Sequence, residues 1–181
     1  MKTAYWPGAC AIAFCTLILS CDNVSPEKTS GTNALQDTSI QRQLQENKKL
    51  VLALYQSLND TNWSAAKMLV DKDFKHHFVK DTGFGVTSWN GFEEGYRMSQ
   101  KAFPDWKLAP VNVVAEGDYV TVLVMGKGTH QGEFAGLPAT NKKVAAPIML
   151  LHQIKNGKII ADWEIMNPNA FLGQLKKNNP N

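Results

Sequence analysis

The sequence predicts an α+β domain in which helices pack on one side of a curved antiparallel sheet. Three observations carry this. Up to about residue 103 the apolar side chains recur at three- and four-residue steps, the period of amphipathic helices. From residue 106 onward the period becomes two, the period of strands with one buried face. Glu116-Gly117-Asp118 and Asn156-Gly157 then supply turn chemistry between neighbouring period-two runs, which makes those connections hairpins. Helices followed by a run of antiparallel strands assemble into two layers, and helices over one face of a bent sheet leave a concavity that suits a ligand.

The first helix runs from Ser39 to about Asn59, marked by Leu44, Val51, Leu52, Leu54, Tyr55 and Leu58. Asn62 is placed to cap a short second helix, Trp63 to Val70. Asp73 to Val79 reads as a short extended piece, and a third helix spans about Gly91 to Phe103, where Pro104 stops it. Four strands follow: Trp106 to Ala115, Tyr119 to Thr129, Lys143 to Ile154 and Lys158 to Met166.

Charge and cysteine usage narrow the function classes. The formal net charge of the 181 residues is +3, with only two arginines, Arg42 and Arg97. Phosphate binding needs a clustered basic face, so no nucleic-acid partner is expected. The cysteines are Cys10, Cys15 and Cys21, and none follows, so the folded part has neither a disulfide nor a thiolate metal site. Without cysteine or a helix-spaced histidine pair, no metal is expected. No Ser-His-Asp order, phosphate loop or dinucleotide fingerprint is present.

Residues 1–20 read as an export signal: Lys2 is a short positive start, and Ala9 to Leu19 is an uncharged apolar run too short to span a bilayer. The run ends Ile18-Leu19-Ser20-Cys21, which resembles the lipobox of bacterial lipoproteins. That resemblance implies cleavage before Cys21, its lipidation, and a lipid-anchored place in the bacterial cell envelope, with neither membrane preferred. Residues 21–38 are polar, contain Pro26 and Gly31, and read as a flexible tether. The folded domain is then 39–177, with a short tail at 178–181.

A series of short motifs runs through the domain: AFPD at 102–105, AEGD at 115–118, GTHQGEF at 128–134, GLPATN at 136–141, NGKI at 156–159, Trp163, and FLGQL at 171–175. In order and spacing they resemble the SnoaL-like polyketide cyclase, or ester cyclase, family of the nuclear-transport-factor-two-like superfamily. The resemblance covers about Lys49 to Lys176. It implies a cone-shaped curved sheet with three N-terminal helices over its concave face, and a homodimer through the outer sheet face. It also implies cofactor-free acid–base chemistry, in which an aspartate at the end of the last strand shuttles a proton in a hydrophobic pocket.

That aspartate stands four residues after the strand tryptophan, where this chain has Asn167. An amide cannot exchange protons as a carboxylate does, although it can donate a hydrogen bond. The expectation is therefore a pocket that binds a small, largely apolar ligand. The alternative is an acid–base enzyme, a cyclase, isomerase or hydrolase, that uses His152 or His130. His152 shares strand parity with Ile148 and Leu150 and is the first candidate for a base on that wall. His130 follows Gly128 and Thr129 at a strand end and is either a base or a pin for the loop after it. His76 and His77 are adjacent, so in an extended chain they point to opposite faces and one of them is placed to enter the cavity; the resemblance aligns His77 with a pocket-rim histidine. Tyr96, Trp106 and Trp163 are candidates for an aromatic lining. If Trp163 and Asn167 face inward, Asp162 and Glu164 face out, and a slip of one residue would exchange the two sets.

Overall fold

The computed structural model describes residues 30–176, with side chains from residue 36. The export signal, Cys21 and the tail at 178–181 lie outside the described residues. Among the described residues no helix is long and apolar enough to cross a membrane.

Four helices and six strands follow in the order α1 (Ser30–Asn59), α2 (Trp63–Leu69), β1 (Val70–Lys80), β2 (Gly83–Ser88), α3 (Trp89–Ala102), β3 (Lys107–Glu116), β4 (Tyr119–Thr129), β5 (Lys143–Lys155), β6 (Lys158–Ile165) and α4 (Pro168–Lys176). The strands form one curved, unclosed sheet in the order β2-β1-β6-β5-β4-β3. Every neighbouring pair is antiparallel except β1 with β6, which is parallel. The chain thus makes the expected cone, with α1 to α3 over the concave face and a fourth helix closing the end.

Local chemistry explains most boundaries. Asn62 caps α2 by accepting the Ala65 N–H at 3.1 Å. Helix α1 is tied to the sheet through Asn59, whose side chain accepts the Leu108 N–H and donates to the Leu108 carbonyl, both at 2.8 Å. Its inner stripe, Val51, Leu54, Tyr55 and Leu58, is buried against the sheet. Helix α1 begins at Ser30, nine residues before the amphipathic pattern does. Its first described side chains are exposed, so no apolar stripe marks them.

Two elements have no counterpart in the sequence reading. Strand β2 reads as a loop because of Gly83 and Gly85. Gly85 is required, since a Cβ there would lie 2.5 Å from the Phe78 ring across the ladder. Helix α4 has the signature of a helix start: Asn167 caps it and Pro168 takes the first helical position.

A bulge decides which face of β6 is functional. Ile154 pairs with Ile159, but Gln153 pairs with Ala161, so Ile160 is the extra residue. One extra residue reverses the alternation beyond it. Ile159 points inward before the bulge; Asp162 and Glu164 point inward after it.

Candidate functional site

The concave side encloses a cavity of about 470 Å³, within the ~300–1,000 Å³ range of small-molecule sites. Its walls are mostly apolar. At one end Phe103, Trp106, Phe134 and Phe171 pack edge-on and tilted against one another. Trp106 fits there because Gly126 has no side chain, and a Cβ at that position would stand 2.3 Å from the indole. Asp105 anchors the corner by accepting the Thr129 N–H at 2.6 Å and the Thr129 hydroxyl at 2.7 Å. Those two hydrogen bonds hold its carboxyl below the usual aspartate range.

The opposite wall, built by β1, β6 and β5, carries the ionisable groups. Paired positions His76↔Asp162 and His152↔Asp162 put three side chains in one row on the inner face. His76 Nδ1 is 2.7 Å from Asp162 Oδ1. His152 Nδ1 lies 3.8 Å from Asp162 Oδ2, and His152 Nε2 is 2.8 Å from the Tyr55 hydroxyl, which reaches down from α1. Glu164, two residues along β6, faces the same cavity and makes no hydrogen bond among the described residues.

The environment polarises this row. Burial works against the charged form of His76, but the hydrogen bond and charge of Asp162, with Glu164 beyond, outweigh it and raise its pKa above the ordinary value. For His152 burial wins, and its pKa falls to about 4, with His76 adding to the fall and Asp162 opposing it. Burial raises the pKa of Glu164, His76 pulls it back, and Asp162 pushes it further up. Burial also raises Tyr55, helped by Asp162 and Glu164. The pKa of Tyr96 is raised by burial and Glu164, and its buried hydroxyl has no hydrogen-bond partner among the described residues. Among the described residues lining the cavity there is no lysine or arginine. No group of three or more His, Cys, Asp and Glu side chains among the described residues could hold a metal ion.

The residues singled out in the sequence separate into two sets. His152, Tyr96 and Trp106 line the cavity. His77, Trp163, Asn167 and His130 do not. Trp163 lies on the outer sheet face, stacked on His77 with ring centroids 4.7 Å apart and planes 9° from parallel. His77 Nδ1 meets the Asp162 carbonyl at 2.8 Å. Asn167 is exposed, and its side chain accepts the Ala170 N–H at 3.0 Å as the cap of α4. His130 is fully buried and pins the following loop: its Nδ1 accepts the Thr140 N–H at 3.3 Å, and the Thr140 hydroxyl lies 3.0 Å away. The expected inward placing of Trp163 and Asn167, with Asp162 and Glu164 outward, is corrected by the Ile160 bulge. His76, Asp162 and Glu164, which the sequence left as the alternatives to His77, Trp163 and Asn167, are the cavity groups. Their one sequence signal was the alternation of acidic residues around Trp163, which parity alone assigned to the wrong face.

The chain matches the SnoaL-like polyketide cyclase family over residues 48–175. It belongs to that family. Among solved structures it is similar to AclR of Streptomyces galilaeus, a candidate hydroxylase, at 25% identity and a TM-score of 0.67, covering 76% of this chain and 85% of that one. It is also similar to IdmH of Streptomyces antibioticus, a candidate polyketide cyclase, at 23% identity and a TM-score of 0.66, covering 72% of this chain and 99% of that one. A candidate SnoaL-like polyketide cyclase of Jannaschia sp. CCS1 shows 20% identity and a TM-score of 0.67 over 74% of this chain and 94% of its own. The last two likenesses are of fold alone. No curated protein matches the chain.

Proposed function

We propose that this SnoaL-like protein is an envelope lipoprotein, anchored through Cys21, whose cavity takes a small, largely apolar, carbonyl-bearing molecule and moves a proton on it without a cofactor. The single observation that carries the reading is the row His76, Asp162 and Glu164 on one wall of an otherwise apolar cavity. Asn167, an amide at the family's aspartate position, favoured binding alone. With Asn167 outside the cavity and Glu164 inside it, that objection falls away.

The roles follow from the charge states. The hydrogen bond and charge of Asp162 favour the charged form of His76 more than in an ordinary imidazole, and with Nδ1–H held by Asp162 the Nε2–H is left for the cavity. Glu164 is a carboxylate made more basic by burial. A carbon next to a carbonyl gives its proton to Glu164; the electron pair moves to the carbonyl oxygen, which His76 stabilises by hydrogen bonding. Return of the proton from Glu164 to a different carbon completes an isomerisation; attack of the enolate on a second carbonyl of the same molecule, with the Glu164 proton passed to the alkoxide that forms, completes a cyclisation. With no lysine or arginine among the described lining residues and Glu164 beside His76, the lining supports a neutral rather than an anionic ligand.

The outer face supports a second copy of the chain as partner: Val86, Met149 and Ile165 are exposed there beside Trp163. Sedimentation of wild type and of Ile165→Glu checks that: a monomeric wild type contradicts it.

The test of the main reading starts from the full-length protein in detergent micelles. Mass spectrometry identifies the molecule extracted from its cavity, and incubation with that molecule in D₂O follows. Enzyme-dependent deuterium uptake at carbon is expected; recovery of the ligand unlabelled at every pH between 5 and 9 would leave a binding protein instead. Lipidation is checked by fractionation, since Cys21→Ser should release the protein from membranes.

A further inference from the structure

Tyr55 and His152 touch each other, yet neither has an assigned task on the cavity wall. His152 is 1% exposed, and its Nδ1 has no hydrogen-bond partner among the described residues. Its two nitrogens are occupied unequally: Nε2 lies 2.8 Å from the Tyr55 hydroxyl and Nδ1 lies 3.8 Å from Asp162 Oδ2. A neutral imidazole carries one proton, and which nitrogen holds it decides what Asp162 meets.

If the proton were on Nε2, it would donate to the Tyr55 oxygen. The Tyr55 hydroxyl hydrogen would then lack an acceptor, and a lone pair on Nδ1 would face the Asp162 carboxylate. If the proton is on Nδ1, the Tyr55 hydroxyl donates to Nε2 and an N–H dipole faces the carboxylate. The second arrangement makes the Tyr55–His152 hydrogen bond and turns an N–H rather than a lone pair toward the carboxylate. At 3.8 Å the contact with Asp162 is charge–dipole attraction rather than a hydrogen bond. It still acts strongly in a buried, low-dielectric setting.

We propose that Tyr55 and His152 are positioning residues: Tyr55 holds His152 as the Nδ1–H tautomer, and that N–H keeps Asp162 aimed so that its other oxygen stays on His76 Nδ1. The order is Tyr55 on α1, His152 on β5, Asp162 on β6 and His76 on β1, with contacts of 2.8, 3.8 and 2.7 Å. The remaining titratable groups facing this row are Glu164 on β6 and Tyr96 on α3. Neither contacts His152 in a hydrogen bond, so the tautomer is set by Tyr55 and Asp162. The two fixed rings also keep His76 from turning its Nε2 away from the cavity, because rotation would break the 2.7 Å bond that Asp162 is held to make. This rests on the proton-transfer reading above for its purpose, but its test does not need turnover.

The chain has four histidines, so imidazole-¹⁵N labelling of the full-length protein in micelles gives a spectrum with few signals. Long-range ¹H–¹⁵N correlations read each tautomer and each titration. Expected for wild type is His152 as Nδ1–H, unprotonated until the pH nears 4, and His76 titrating above its ordinary value. In Tyr55→Phe the His76 titration should fall by about half a unit or more, roughly a threefold loss of proton affinity, and its bonded Nδ1 proton should move upfield. His152→Gln, which can both accept from Tyr55 and donate to Asp162, should restore the wild-type titration, whereas His152→Leu should not. These two carry the test if Tyr55→Phe does not fold. His152 found as the Nε2–H tautomer would overturn the proposal, as would a His76 titration that ignores both Tyr55→Phe and His152→Leu. Loss of deuterium uptake with these signatures intact would overturn the proton-transfer reading alone.

Discussion

The two ends of the cavity are built from the same fold by different means. The corner between α3, β3 and α4 is lined by aromatic rings; it holds shape through ring packing, one glycine slot at Gly126 and the Asp105–Thr129 anchor. The wall of β1, β6 and β5 holds charge through cross-strand pairing, with His152, Asp162 and His76 set side by side and Glu164 beyond them. The difference teaches that selection of an apolar body and chemistry on a polar head are physically separable here. Variants at one end should leave the other intact, and each prediction tests that division.

The largest effect is expected at the polar wall. Asp162→Asn replaces the acceptor for His76 Nδ1 with an amide and should slow deuterium uptake about a hundredfold or more, with ligand affinity changed only a few-fold. A parallel loss of affinity and rate would join the two ends. Phe103→Ala attacks the aromatic end. Its ring is 2% exposed, and its removal should cost about 3–5 kcal/mol of stability, read by urea unfolding, while His76 titrates as in wild type.

Stability should also respond to pH through the polar wall. His152 takes up its proton near 6.5 when unfolded but only near about 4 when folded. As pH falls from 6.5 to 4 the unfolded state therefore binds more protons, and stability drops by an amount on the order of 3 kcal/mol. His76 and Glu164 have raised values and act in the opposite direction as they protonate. The urea midpoint difference between wild type and His152→Gln across that window isolates the contribution of His152, and an unchanged difference would contradict it.

The smallest effect separates a cap from a site. Asn167→Ala should cost only ~1 kcal/mol, the usual worth of a helix N-cap, with no change in ligand affinity. A large loss of affinity would return Asn167 to the cavity.

The fold was legible because periodicity and turn residues act locally: the strands from β3 to β6, the Asn62 cap and the stop at Pro104 all follow from neighbours in sequence. What was illegible depends on pairing partners. Strand β2 exists because β1 supplies its ladder and Gly85 makes room for Phe78. The inward set of β6 depends on a single bulged residue, Ile160, whose presence no alternation reveals. One displaced residue moved Asp162 and Glu164 from the solvent side to the cavity and Trp163 to the outer face. The choice between His76 and His77 is illegible for a related reason: they are adjacent and on opposite faces, and only the partner strand says which is which.

The most direct test sets Asn167→Asp beside Glu164→Gln and follows solvent deuterium uptake into the extracted ligand. Expected is a wild-type rate for Asn167→Asp and a loss of about two orders of magnitude or more for Glu164→Gln. A gain of activity in Asn167→Asp with Glu164→Gln unaffected would show that the proton is moved elsewhere.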